Sequence, residues 1–263
     1  METTKKYELS NETIVFDGVT LHRIKAFKNF PDVKAGDLGG WVEKEENLSQ
    51  MGDAWVYSNA KVYRNAKVSG NARVFANVQV YGSAEVYGNA EVHGNAVVCG
   101  NAQVYGNVQV YENAEVYGNA KVHGDAEIYR NAKVFGNAEV FGNAVISGNA
   151  KVFDNAQVCG DAIVYDNARV YGDASVGCCA LVCGNAMVCG DASVRCGADY
   201  IIFKNFWSSG RFFTWTRSNN MWKVGCFYGT GEELIRKAYK DSAKSGKEYE
   251  KIVRYVDSIL ADK

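Results

Sequence analysis

Three histidines, eight cysteines and a knot of cations and rings near the C-terminus are the residues of this 263-residue chain equipped for chemistry. A histidine beside a reacting hydroxyl or amine acts as a general base. His22 stands alone near the start, and His93 and His123 are 30 residues apart, each in a slot that Tyr or Phe fills elsewhere in the same register. The simpler reading of both is ladder membership; catalysis would use His93 or His123 as base. Cys99, Cys159, Cys183 and Cys189 occupy that same slot and read as substitutions within a repeat. Cys178 and Cys196 are 18 residues apart, close to Cys179 and Cys183, but no Cys-x-x-Cys pair or neighbouring histidine completes a zinc set. Reduced structural thiols are expected, with Cys178 and Cys196 as an oxidisable pair and no metal. In the tail, Lys204, Arg211, Arg217 and Lys223 interleave with Phe206, Trp207, Phe213, Trp215 and Trp222. Cations beside rings bind phosphate and stack a base, and the amides of Ser208-Ser209-Gly210-Arg211 are placed to hold an anion. The candidate binding set is therefore Lys204, Arg211, Trp215, Arg217, Trp222 and Lys223. The competing reading, which we favour, packs these rings into a small core while the cations reach out to water.

What must position these residues is a six-residue phrase. Valine or isoleucine recurs at every sixth position from Val56 to Val194, giving 24 hexads without insertion or deletion; only Ile128 and Ile146 are not valine. Alanine precedes each by two, except at Val78 and Val108, and Val86-Tyr87-Gly88-Asn89-Ala90-Glu91 is typical. An unbroken short period of this kind predicts a β-solenoid. Strand side chains alternate, so Ala and Val point inward and the residues flanking Val point out, with Gly-Asn at the corners. Three strands per coil predict about eight triangular coils around a core of Ala and Val too narrow for a ligand. Adjacent coils then file the outward rings into three columns. The first holds Tyr63, Tyr81, Tyr117, Phe135, Phe153 and Tyr171 with Cys99 and Cys189; the second includes His93, the third His123. Beside the second, Val145, Ile163 and Leu181 make an apolar far end. Such files are intrinsic ladders or a self-association surface. The first, unbroken by histidine, is the candidate oligomer interface.

The ends depart from the hexad. Residues 1–53 read as an N-terminal β cap, with a hairpin about Asp17-Gly18 and Trp41 placed over the first coil. Residues 54–198 are the solenoid. Residues 199–263 read as a C-terminal α+β module. Its three strands are Tyr200–Phe206, Phe212–Arg217 and Met221–Phe227, and its two helices open at capping boxes Thr230–Glu233 and Ser245–Glu248. The net charge of −1 exerts no global pull on nucleic acid or membrane. No apolar run approaches the ~20 residues of a membrane span, and Met1–Lys6 lacks the apolar stretch of a signal peptide, so the expected address is cytoplasmic. No cofactor is expected.

The hexads resemble the hexapeptide-repeat superfamily, whose members fold as left-handed β-helices, are commonly trimeric and include many acyltransferases. More narrowly, Asp32-Val33-Lys34-Ala35-Gly36, Gly39-Gly40-Trp41-Val42 and Asn47-Leu48-Ser49-Gln50 resemble the start of YdcK-type proteins, bacterial and phage-borne hexapeptide proteins assigned as transferases. Thr214-Trp215-Thr216-Arg217 and Gly225-Cys226-Phe227-Tyr228-Gly229-Thr230 resemble a tail carried by such proteins in phages and prophages. The resemblance implies a mainly β protein, a parallel left-handed β-helix assembled as a trimer. Acyltransferases of this class set a histidine base beside a cleft between subunits, usually with a projecting loop, and no loop interrupts these 24 hexads. The leading functional reading is thus a non-enzymatic oligomeric scaffold whose end modules bind a partner, a host protein or nucleotide in a counter-defence role. An acyl-CoA-dependent acyltransferase, and a nucleotide or nucleic-acid binder acting through the tail, are the alternatives.

Overall fold

A computed structural model describes residues 5–261; residues 1–4, on which the reading of the leader partly rests, lie outside it. Each hexad supplies one two-residue strand, from β4 (Trp55–Val56) to β27 (Ser193–Val194). Each pairs in parallel with strands 18 residues away, as Val92 does with Val74 and Val110, so three sheets form the walls of the solenoid. The inward Ala and Val side chains are wholly buried, which is why the coil can be so tight. At each corner the residue after the outward ring takes a positive φ, 72° at Gly88 but also 60° at Arg64 and 59° at Arg130. Glycine is needed most where coils close on one another: a Cβ on Gly88 would lie 2.8 Å from the Gly106 nitrogen. The next residue stacks by its amide, and Asn77, Asn95, Asn113, Asn131, Asn149 and Asn167 form one chain of Nδ2–H···Oδ1 bonds of 3.1–3.3 Å.

The N-terminal hairpin joins β1 (Tyr7–Phe16) to β2 (Val19–Ala26) through Asp17 and Gly18, both at positive φ, the turn that matches strand twist. Then β3 (Leu38–Val42) pairs in parallel with the first coil, Val42 with Val62, and Leu48 bridges Val68. The ladder therefore starts before Ala54, and the expected eight coils become a parallel solenoid of about nine turns. The offset here is 20 residues rather than 18 because eight residues, not six, separate Leu48 from Val56, while Val42 and Leu48 keep the six-residue step across the 3-10 turn at Glu45–Asn47; that longer step hides the turn from a strict six-residue period. Trp41 does not cover the coil end as expected. It aligns with outward-facing Lys61 and packs with Leu21 and Tyr63. Tyr7, Ile24, Leu48 and Trp55 join the inner core there instead. The first coil's bare carbonyls meet buried donors: Lys6 Nζ reaches Gly52 and Ala54 at 3.3 and 2.9 Å, and Asn47 Nδ2 reaches Arg64 and Ala66 at 3.1 and 2.8 Å.

After β27 the chain forms an antiparallel sheet of β28 (Tyr200–Lys204), β29 (Phe212–Thr216), β30 (Met221–Val224) and β31 (Phe227–Gly229). Four strands replace the expected three because Gly225, at φ 56°, reverses the chain inside Met221–Phe227. Helix α1 (Gly231–Asp241) opens at the Thr230–Glu233 capping box. Helix α2 (Ala243–Ala261) starts earlier than the Ser245 box predicts, because Ser242 Oγ accepts from Ser245 N at 3.0 Å and performs the cap. The module also closes the last coil. The N–H groups of Cys183, Met187, Ser193 and Arg195 donate to Tyr200 Oη, Thr214 Oγ1, Ser218 Oγ and Asp199 Oδ2 at 3.4, 2.9, 2.7 and 2.7 Å.

Candidate functional site

The first column of rings is a stack at coil spacing. Tyr117, Phe135, Phe153 and Tyr171 follow one another with centroids 4.8–4.9 Å apart and planes within 3°. Between Tyr81 and Tyr117 the stack passes through Cys99, whose thiol beside Tyr81, together with burial, pushes that phenol up to about 12. Glu115 and Lys133 pair at 2.8 Å alongside the rings. Both ends of the column are covered by this same chain. The hairpin lays Phe16 edge-on over Tyr63, which is buried and so leaves the expected interface, and Tyr81 stacks on Tyr63 at 5.1 Å. At the other end Cys189 is buried, and Lys223 lies 5.9 Å over Tyr171. The central rungs, Cys99 to Phe153, lie between these covers, each side chain half-buried.

The two histidines sit in different sheets. His93 stacks on Tyr111 at 5.0 Å. His123 lies between Tyr105 and Phe141, at 4.9 and 5.1 Å, and its Nε2 is 3.2 Å from Glu139 Oε1. The sequence reading missed Glu139, although the signal was available: a residue 16 positions on stands beside the ring in the next coil. The same step joins Tyr111 to Glu127 at 3.4 Å and Tyr63 to Gln79 at 3.5 Å. The histidine–carboxylate contact is thus a rung-to-rung contact that tyrosines also make. It would nonetheless orient an imidazole for proton transfer.

The tail does not gather the expected binding set. Trp215 and Trp222 face each other across β29 and β30 and are buried with Phe213 under the two helices, where they cannot stack a base. Strand alternation puts Phe213, Trp215, Trp222 and Val224 on that one side. Lys204 rests on the rings of Phe206 and Phe212 at 4.8 and 5.3 Å, Lys223 turns to the solenoid, Arg211 borders Gly225, and the main chain of Arg217 bonds to that of Asp199. Two of the four amides of the expected anion-holding turn are engaged within the loop: Asn205 Oδ1 takes the N–H of Ser208, along with that of Trp207, and Ser209 Oγ takes that of Arg211. Of the rings interleaved with these cations, Phe206 and Trp207 are the exposed ones, at 70% and 67%. All eight cysteines are free thiols, with Cys178, Cys179, Cys196 and Cys226 exposed. Among the described residues, no group of three or more His, Cys, Asp or Glu is arranged to hold a metal, and no helix is long and apolar enough to cross a membrane.

Comparison with known proteins meets the solenoid. Residues 66–82, 156–172 and 164–177 match the family described as YdcK Beta solenoid repeat. A protein of Escherichia coli (strain K12) named "Uncharacterized acetyltransferase YdcK" is 43% identical over 61 residues. That match covers 20% of this chain and 19% of the relative's length.

Proposed function

From a hexapeptide-repeat β-solenoid of the YdcK type, we propose an oligomeric scaffold that self-associates through the first column of rings and binds partners with its end modules. The observation that carries this reading is the ladder itself. Its ends are covered by the chain's own hairpin and tail sheet, while Tyr117, Phe135 and Phe153 lie in the uncovered middle. A rigid, flat file of rings is suited to a matching surface, and a closed cyclic assembly is the economical way to occupy one on every copy. Replacing Tyr117, Phe135 and Phe153 together by serine is expected to lower the native mass towards that of one chain, while the far-ultraviolet β signal stays. An unchanged mass by light scattering would move the interface elsewhere.

One observation favours a second reading, acyl transfer. Of the two candidate histidines, His123 carries a carboxylate at hydrogen-bond distance, and the similar Escherichia coli protein is named an acetyltransferase. In that reading His123 is the base and Glu139 orients it, with the acceptor in a cleft completed by a neighbouring copy. Saturable acetyl-CoA binding with turnover on an amine or hydroxyl acceptor would support it, provided His123→Phe costs on the order of 10²-fold or more in rate. If His123→Phe is silent, the imidazole is a ladder ring.

A further inference from the structure

We propose that the free edge of the tail sheet is a peptide-docking site for an extended, acidic segment of a partner protein carrying an aromatic anchor. Strand β28 is the outermost strand of its sheet, paired on one side through all five residues with β29. Exposed edges invite strand addition, and proteins usually blunt them with proline, a bulge or a short length; none of these interrupts Tyr200–Lys204. A cleft of about 470 Å³ opens beside this strand, walled by Phe203, Trp207, Ile252 and Tyr255, with Glu248 and Lys251 at its rim. Trp207 and Tyr255 are 67% and 56% exposed, a large apolar surface for side chains without a partner. An added strand would bond to the β28 main chain and turn alternate side chains to opposite faces. One set would enter the cleft beside Phe203, and the other would pass Lys204.

Charge selects the occupant. At the rim Lys251 and Glu248 pair with each other at 3.1 Å and cancel. That leaves Lys204, held over Phe206 and Phe212, as the charge on this edge. An acidic strand is therefore matched and a basic one repelled.

This rests on the scaffold reading, whose end modules need a partner, but its test is separate, since the serine variants report the ladder and the following reports the tail. A fluorescent peptide alternating glutamate with phenylalanine is titrated against the full-length protein and followed by anisotropy, with hydrogen exchange of residues 200–204. Saturable binding, slowed exchange in β28 and at least tenfold weaker binding by Trp207→Ala are expected. A peptide with lysine for glutamate, and one N-methylated at alternate residues, should each lose at least tenfold. Absence of binding, or binding indifferent to N-methylation, to charge reversal or to Trp207→Ala, overturns the proposal. So does a doubling of mass without peptide that Trp207→Ala abolishes, which would assign the edge to a second copy of this chain.

Discussion

A tyrosine in the outward slot titrates as part of a stack. Burial beneath the hairpin, then Asp17, pushes Tyr63 up to about 12, and burial, then Glu127, does the same for Tyr111. An acid raised in the folded state contributes stability that is whole below its unfolded value, about 10 for tyrosine, and that is lost as pH climbs through 12. Lys6 runs the other way. Burial pulls its ammonium down to about 8, against about 10.4 in an unfolded chain. Below pH 8 both states hold the proton and the cost of burying the charge is felt in full. Between about 8 and 10.4 the unfolded state binds more protons, so stability rises with pH. Chemical denaturation should show the wild type gaining stability relative to Lys6→Met as pH rises from 8 to 10, with both falling beyond pH 10 as the tyrosines titrate. The raised thiols of Cys99, Cys159 and Cys189 act on both proteins alike. A difference between the two that stays constant from 8 to 10 would contradict the burial argument.

At the scale of elements, a solenoid of identical coils has two raw ends, and each is closed by polar atoms chosen for what is missing. The first coil lacks donors for its carbonyls and receives an amine and an amide. The last lacks acceptors for its N–H groups and receives hydroxyls and a carboxylate. An unsatisfied buried group costs about 1–3 kcal/mol. Thr214→Val, which keeps the shape but strips the acceptor from the Met187 N–H, and Asn47→Ala, which abandons the carbonyls of Arg64 and Ala66, should each cost about that much. Ser209→Ala, in an exposed loop, should be nearly silent. Urea midpoints at unchanged slope are the measurement; equal midpoints for all three would mean the coil ends are not sealed by these bonds.

For the whole molecule, the ladder variant separates assembly from folding. Removing Tyr117, Phe135 and Phe153 deletes three stacked pairs, each worth about 0.5–1.5 kcal/mol beyond burial. The Ala and Val core is untouched, so a lowered melting temperature with an intact β signal is expected alongside the loss of mass. Changing outward Glu115 to lysine, by contrast, breaks one exposed pair with Lys133 and should move stability by less than about 1 kcal/mol.

The period alone carried the inside and outside of 24 coil walls, because strand alternation leaves Ala and Val only one side to occupy and any slip would bury a Lys or Glu. The hairpin at Asp17-Gly18 and the box at Thr230–Glu233 were equally legible, each being decided within four residues. What escaped were contacts made by distant chain. Nothing local says that Val42 and Leu48 continue the ladder at an offset of 20, that Phe16 folds back over Tyr63, or that Gly225 splits a strand. Trp215 and Trp222 looked like stacking platforms because a sequence window shows rings beside cations without showing which face the helices cover. Trp207, equally aromatic and equally near a cation, was left outside, since the loop that carries it bends away from that core. Burial there is settled by how sheet and helices pack.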